Sequence, residues 1–309
     1  MLYLGLDIGG TKMAAVVIDG TGVELGRYRK ETEKETYYSF LDGLEEFIAV
    51  IKHDIEEINA TFAIGIALPG SISPINGKIK NSNILVLNGQ DLKSDLETRL
   101  GLSVIIANDA NCFALSEACD GAGQGHEVVF GITLGTGCGG GIAIHQQLYS
   151  GAWGNAAECG HITLPGFSPQ RDGPDVTCYC GRDNCSESFV SGTGLAERYF
   201  KLSGLTHSAP EVIALAKAGD VMAREQITRF RNQLARLLAT IVNTLDPHII
   251  VIGGGLSNES ILIEHIDQEI APLVFTDTFS TPVAKAQHGD SSGMRGAAWL
   301  ALRAQAKSC

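Results

Sequence analysis

"GLDIGGTKMAAVVI" at residues 5–18 and "GITLGTGCGGGIAI" at residues 131–144 align without a gap, 126 positions apart. Each reads as an apolar strand, a glycine turn and a second apolar strand. Glycine leaves the main chain open, so each turn can bring backbone N–H groups close to phosphate. The second turn, "GTGCGGG" (135–141), formally contains G-x-G-x-x-G. The dinucleotide fingerprint requires those glycines to open a helix, and here the strand-like "IAI" follows. The chain also lacks G-x-x-x-x-G-K-[ST], which removes the P-loop. A third glycine loop, 253–255, again directly follows an apolar run. Three such loops point to a nucleotide cleft, against the plainer reading that glycine merely turns hairpins.

Working outward, Leu2–Asp7 and Ala14–Ile18 read as strands and "GTG" (20–22) as a turn, so the chain opens as a β meander. Residues 37–55 carry Phe40, Leu41, Leu44, Phe47, Ile48, Ile51 and Ile55 at helical spacing. "FAIGIALPG" (62–70) and "SVIIANDAN" (103–111) read as buried strands, the second with a helix following from Asn111. A long amphipathic helix is expected over 221–245, a strand and glycine loop over 246–258, and a last helix from about Gly293 to Ala306. The spacing suggests two lobes joined by helices.

The 309 residues are 44% hydrophobic and 19% charged, the composition of a folded globular protein. A net charge of −12 argues against a nucleic-acid surface. No apolar run approaches the roughly 18 residues needed to cross a bilayer, so no membrane partner is expected. "MLYLGLDIGG" lacks the basic start of a signal peptide, and the expected compartment is the cytoplasm, where the eight cysteines would stay reduced.

Three cysteines crowd "CYCGRDNC" (178–185). Cys178, Cys180 and Cys185 offer three soft ligands in a polar loop, and His161, 17 residues upstream, is the best fourth candidate for a tetrahedral structural zinc. The spacing is not the Cys-x-x-Cys of redox thiols. Cys112, Cys119, Cys138 and Cys159 read as small core residues and Cys309 as part of a tail. In "ANDAN" (107–111), Asp109 can serve as a general base with Asn108 and Asn111 binding hydroxyls, although a helix cap accounts for the same residues. "AAECGHITL" (156–164) adds Glu158 three residues before His161.

"DIGGTK", "NDAN", "GTGCGGG", "ECGH", "CYCGRDNC" and "GGG" fall in the order found in the ROK family of sugar kinases and repressors, and the resemblance spans essentially the whole chain. Within that family, "PGSISPINGKIKN" (69–81), "LNGQ" (87–90), "CYCG", "SGTG" (191–194) and "HGDSSGMRGAAWL" (288–300) look most like bacterial fructokinases that also take mannose. N-acetylglucosamine kinases, which share "NDANCFALSEA" (108–118), come next. The resemblance implies an α/β fold of the actin-like ATPase (hexokinase or ribonuclease H-like) class, two-lobed with a central cleft. It sets residues 1–118, with a terminal helix 293–309 packing back on them, as one lobe, and 119–292, with the zinc clip, as the other.

It also implies roles, position by position. Asp109 matches the catalytic base, and Asn83, Asn108, Asp109, Glu158, His161 and Glu187 match the sugar contacts. Gly9, Gly10, Thr11 and Lys12 match the first phosphate loop, Gly135, Thr136 and Gly137 the second, and Gly254 and Gly255 the adenosine loop. His161, Cys178, Cys180 and Cys185 match the zinc ligands. Asp7 is a candidate for a water-mediated magnesium contact, or a buried structural carboxylate. The expected reaction is ATP-dependent, Mg²⁺-assisted phosphorylation of D-fructose, and also D-mannose, at the C6 hydroxyl, with N-acetylglucosamine or glucose as alternative substrates and a homodimer as the expected assembly. A sugar-responsive regulator is the remote alternative, and the position of Gly9 leaves no room ahead of it for a helix-turn-helix. Two departures stand out. Asn184 replaces a glycine common before the third cysteine, which a left-handed backbone would tolerate. Ala157 replaces the glycine before Glu158.

Overall fold

The apolar runs that frame the glycine turns become the centres of two five-stranded mixed sheets. In this computed structural model, which describes residues 1–55 and 61–306, the strands are β1 (Leu2–Ile8), β2 (Lys12–Ile18), β3 (Glu24–Glu31), β4 (Phe62–Leu68), β5 (Ser71–Ile72), β6 (Ile79–Lys80), β7 (Val104–Asn108), β8 (Val128–Leu134), β9 (Cys138–Ile144), β10 (Gln147–Leu148), β11 (Ile249–Gly253) and β12 (Val283–Lys285). The sheet orders are β3-β2-β1-β4-β7 and β10-β9-β8-β11-β12, with β5 and β6 forming a small hairpin. The sequence repeat is a structural one. β1 and β8, and likewise β2 and β9, begin and end at positions 126 residues apart. In each sheet the central strand is followed by parallel partners, β4 on β1 and β11 on β8.

The chain divides into two compact units: residues 1–125, 141–156 and from 290 on, and residues 126–140 and 157–289. Residues 119–125, 141–156 and 290–292 thus group with the first unit, where the sequence reading sets them in the second lobe. In the first unit, side chains alternate across β1. Leu2, Leu4, Leu6 and Ile8 bury against Phe40, Leu41, Leu44, Phe47 and Ile48 of the helix Tyr37–Asp54. On the other face Tyr3 joins Val16, Ile18, Met294, Ala298 and Trp299, the last three from the C-terminal helix Ser292–Gln305. A strand covered on both faces must be apolar throughout, which is why β1 and β4 read as continuous hydrophobic runs. β3 is the exposed edge of the sheet and is rich in charge.

The C-terminal helix lies against the first sheet at backbone distance. A Cβ on Gly5 would stand 2.0 Å from the carbonyl oxygen of Met294, and one on Gly65 1.8 Å from that of Ala297. A Cβ on Gly296 would stand 1.7 Å from the carbonyl oxygen of Cys112, in the helix Asp109–Asp120. Glycine is required at all three positions by close approach.

In the second unit the expected helix is Val221–Leu245, capped by the Asp220 carboxylate, which accepts from Ala223 N–H at 2.8 Å. Its predicted face is buried except Leu245, which is half-buried. Helices Gly192–Ser203 and Ala209–Ala218 pack beside it and were not anticipated from the sequence. The helix expected from Asn111 starts two residues earlier, at Asp109, because Asn108 provides the cap. Cys112, Cys119, Cys138 and Cys159 are buried, as small core residues should be; Cys309 lies outside the described residues. No helix among the described residues is long and apolar enough to cross a membrane.

Candidate functional site

In the first unit, β7 ends at Asn108 and the following helix opens on Asp109. The sequence left open whether Asp109 is a cap or a base. Asn108 is the capping residue: its Oδ1 accepts from Ala110 N–H at 2.9 Å. Its Nδ2 donates to the carbonyl of Gly70 at 3.1 Å, so the amide is fixed at both ends. Gly70 is left-handed at φ 97°, and a Cβ there would stand 2.6 Å from Lys80 O and 2.8 Å from Ser82 N. Ser82 and Asn88 exchange hydrogen bonds, Ser82 N–H to Asn88 Oδ1 at 2.9 Å and Asn88 Nδ2 to Ser82 O at 2.9 Å. These contacts tie the loop bearing exposed Asn83 to Gly70, the residue whose carbonyl holds the Asn108 amide.

Asp109 is exposed as a residue, yet protein atoms crowd its carboxyl group and the partial loss of water there pushes its pKa above the usual aspartate range. Hydrogen bonds from the backbone N–H groups of Ala110 and Asp109 and from the Asn108 side chain oppose the shift without cancelling it. A carboxylate of raised pKa is a better proton acceptor near neutrality. Asp7, at the end of β1, lies against the start of the C-terminal helix, where a Cβ on Gly293 would stand 2.3 Å from its Oδ2. The first glycine turn closes with Gly9 N–H to Lys12 O at 3.0 Å, and Gly10 has open space around it. The sequence reading missed Thr32 and Lys34, whose side chains both bond carbonyls of this turn. They lie in "KETEKE" (30–35), which reads as a solvated charge run.

In the second unit the loop 135–137 closes with Gly135 N–H to Gly137 O at 3.0 Å. The "SGTG" segment braces it, Gly192 N–H donating to Gly135 O at 2.7 Å and Thr193 N–H to Thr136 O at 3.3 Å. Glu187 reaches the same loop: its Oε2 accepts from Cys138 N–H at 2.8 Å, and a Cβ on Gly137 would stand 2.5 Å from that oxygen. One expected sugar carboxylate is therefore hydrogen-bonded to the second glycine turn. Gly254 is left-handed at φ 79° and packs against Leu134, where a Cβ would stand 2.5 Å from the carbonyl oxygen; Gly255 has open space.

His161, Cys178, Cys180 and Cys185 converge, their ligand atoms all within 4.8 Å of one another. His161 Nδ1 stands 3.8 Å from Cys178 Sγ, and Cys180 Sγ stands 3.6 Å from Cys185 Sγ. Zinc bonds of about 2.3 Å to sulfur and about 2.0–2.1 Å to nitrogen set tetrahedral edges of about 3.5–3.8 Å; these two separations match such edges, and the donor set of three thiols and one imidazole suits that ion. The other ring nitrogen, Nε2, lies 2.9 Å from the hydroxyl of Tyr179. Both ring nitrogens of His161 thus have a neighbour within the same cluster. Exposed Glu158 immediately precedes the 3-10 turn Cys159–His161, and Glu187 follows Cys185 by two residues. Asn184 is left-handed at φ 56°, and its side chain accepts from Val176 N–H at 3.0 Å and donates to Asp175 at 2.8 Å. Ala157 adopts φ 63°, a conformation that favours glycine.

A profile of the ROK family matches residues 3–304. The chain is 36% identical over 305 residues to an N-acetyl-D-glucosamine kinase of Photobacterium profundum, covering 98% of this chain and all of that one. It is also 36% identical to the N-acetyl-D-glucosamine kinase of Haemophilus influenzae, covering 97% of this chain and 99% of that one. Among solved structures it is similar to a ROK hexokinase from Thermus thermophilus, with 28% identity, TM-score 0.86 and full coverage of both chains. A ROK family glucokinase from Streptomyces griseus in complex with glucose and AMPPNP gives 31% identity and TM-score 0.76, covering 98% of this chain and all of that one. These full-length likenesses correct the fructokinase expectation: the curated relatives bear the name of the alternative substrate, N-acetylglucosamine.

The raised pKa of Asp109 has a consequence for stability. Its folded-state pKa lies above the unfolded one, so the folded protein holds the proton more tightly, and stability falls as pH rises through the folded value. Asp109→Asn removes this penalty. Thermal unfolding should show the variant more stable than wild type at neutral pH, with the difference closing below the ordinary aspartate pKa. A wild type as stable as the variant at neutral pH would contradict the assignment.

Proposed function

The chain belongs to the ROK family of sugar kinases, with the actin-like ATPase fold, and from that premise we propose that it transfers the γ-phosphoryl group of ATP to the C6 hydroxyl of N-acetyl-D-glucosamine. The observation that carries the substrate is the 36% identity, over nearly the whole length of both chains, to kinases named for that sugar. The transfer asks the protein for positioning and charge stabilisation more than for covalent chemistry. Asp109 accepts the proton of the C6 hydroxyl as its oxygen attacks the γ-phosphorus and the bond to the β-phosphate oxygen breaks. Asn83 and Asn108 in the first unit and Glu158 and Glu187 in the second bind the hydroxyls of the ring. The turns at Gly9–Lys12 and Gly135–Gly137 offer N–H donors to the phosphates, and Gly254 and Gly255 serve the adenosine. Mg²⁺ bound with the nucleotide neutralises phosphate charge.

A structural zinc on His161, Cys178, Cys180 and Cys185 would fix the segments that end in Glu158 and begin at Glu187. The convergence of the four ligand atoms within 4.8 Å of one another and the Tyr179 hydroxyl on His161 Nε2 support this reading. A buried ion pair supports the approach to the same loop. Arg236, on the helix Val221–Leu245, bonds the Asp172 carboxylate and donates to Pro165 O at 2.6 Å.

A coupled ADP-release assay with MgATP tests the proposal over N-acetylglucosamine, glucose, mannose and fructose. The expected result is a kcat/KM for N-acetylglucosamine at least about tenfold above that for fructose, a ratio of the size one or two hydroxyl contacts supply. In Asp109→Asn the rate should fall by about 10²–10⁴-fold. A preference for fructose or glucose overturns the substrate, and full activity in the variant overturns the base. Elemental analysis should find about one zinc per chain. Cys185→Ser should lose the metal, unfold at lower temperature and raise KM for the sugar; a metal-free wild type of full stability would contradict the zinc.

A further inference from the structure

Residues Thr32–Lys34 hold the first glycine turn by its carbonyls, one after another. Thr11 O accepts from Thr32 N–H at 3.0 Å, Gly9 O accepts from the Thr32 hydroxyl at 2.7 Å, and Gly10 O accepts from the Lys34 ammonium. In a planar trans peptide the N–H of one residue points opposite to the carbonyl before it. Anchoring the carbonyls of Gly9 and Gly10 therefore turns the N–H groups of Gly10 and Thr11 away from the Thr32–Lys34 side. Thr32 is buried at 9% exposure, so its hydroxyl is placed by packing as well as by the bond. Lys34 is exposed and flanked by Glu33 and Glu35, yet among the described residues it forms no ion pair and spends its charge on a neutral carbonyl. A cation on Gly10 O polarises the Gly10–Thr11 peptide and makes the Thr11 N–H a stronger donor.

We propose that Thr32 and Lys34 are positioning residues for phosphate recognition: they clamp the carbonyls of Gly9, Gly10 and Thr11 so that the N–H groups of Gly10 and Thr11 are aimed, and sharpened, toward the terminal phosphates of a nucleoside triphosphate. This rests on the nucleotide reading of that turn. It assigns function to residues whose identity suggests only a surface charge run, and it separates their effect from that of Lys12.

The test is calorimetric titration of the full-length protein with MgATP, MgADP and adenosine, in wild type, Thr32→Val, Thr32→Ser, Lys34→Met and Lys34→Arg. Thr32→Val and Lys34→Met should weaken MgATP binding at least about fivefold and leave adenosine binding within twofold, because only the phosphates read the clamp. Thr32→Ser and Lys34→Arg should restore most of the loss. Affinity for the sugar and the unfolding temperature of Lys34→Met should stay at wild-type values, which a merely structural role would not predict. If wild type binds MgATP and both Thr32→Val and Lys34→Met bind it within twofold of wild type, the clamp is overturned and the kinase reading stands. If wild type binds neither nucleotide, the nucleotide reading of the turn falls and the clamp with it. Should Thr32→Val fail to fold, Lys34→Met alone decides, since its side chain is exposed.

Discussion

The first unit depends on how closely its C-terminal helix can approach the sheet. Gly5 on β1 and Gly65 on β4 leave no Cβ between the sheet and the backbone of Met294–Ala298. Gly296 in turn lets the helix Asp109–Asp120 meet the C-terminal helix at the backbone of Cys112. The same three glycines set the height of Asp7 against Gly293 and of Asp109 at the start of its helix. An added methyl group at such contacts would displace backbone, not a side chain that can turn away, and overpacking of this kind is costly. The C-terminal helix thus packs against the elements that carry Asp7 and Asp109.

The second unit solves a different problem. Glu158 immediately precedes the 3-10 turn Cys159–His161, and Glu187 opens the short helix Glu187–Val190, which packs against the helices Gly192–Ser203 and Val221–Leu245. Two further features bear on these segments. The Cys178, Cys180, Cys185 and His161 quartet draws both segments to one point, and the Glu187 carboxylate is tied to Cys138 N–H at the second glycine turn. The Asp172–Arg236 pair anchors the loop ahead of the quartet to the longest helix. Breaking a buried pair of this kind leaves a charge without a partner, which is why it acts as an anchor.

The sequence made the sheets legible because β1, β4, β8 and β11 are predominantly apolar runs, and glycine or proline stops each one. The helix Val221–Leu245 was legible from one buried stripe, and the convergence of His161, Cys178, Cys180 and Cys185 from spacing within a single segment. What stayed hidden is what the fold brings together from afar. Thr32 bonds Gly9 across 23 residues and Glu187 bonds Cys138 across 49. No local pattern announces either, and the run "KETEKE" points to solvent. The departures at Asn184 and Ala157 were visible, but only the backbone shows that both residues take left-handed conformations. Asn184 adds two side-chain bonds that a glycine could not make. The relatives are named for the alternative sugar, N-acetylglucosamine, whereas the short loop motifs pointed to fructose. Discrimination among hexoses rests on one or two hydroxyl contacts that such motifs do not encode.

The central claim is a phosphoryl transfer to one particular oxygen of one particular sugar. Phosphorus and carbon NMR of the product formed from MgATP and N-acetylglucosamine tests it most directly. The account predicts a single product phosphorylated at C6, with ADP formed in equal amount. A phosphate at C1 or another ring hydroxyl, or ADP released without a phosphorylated sugar, would contradict it.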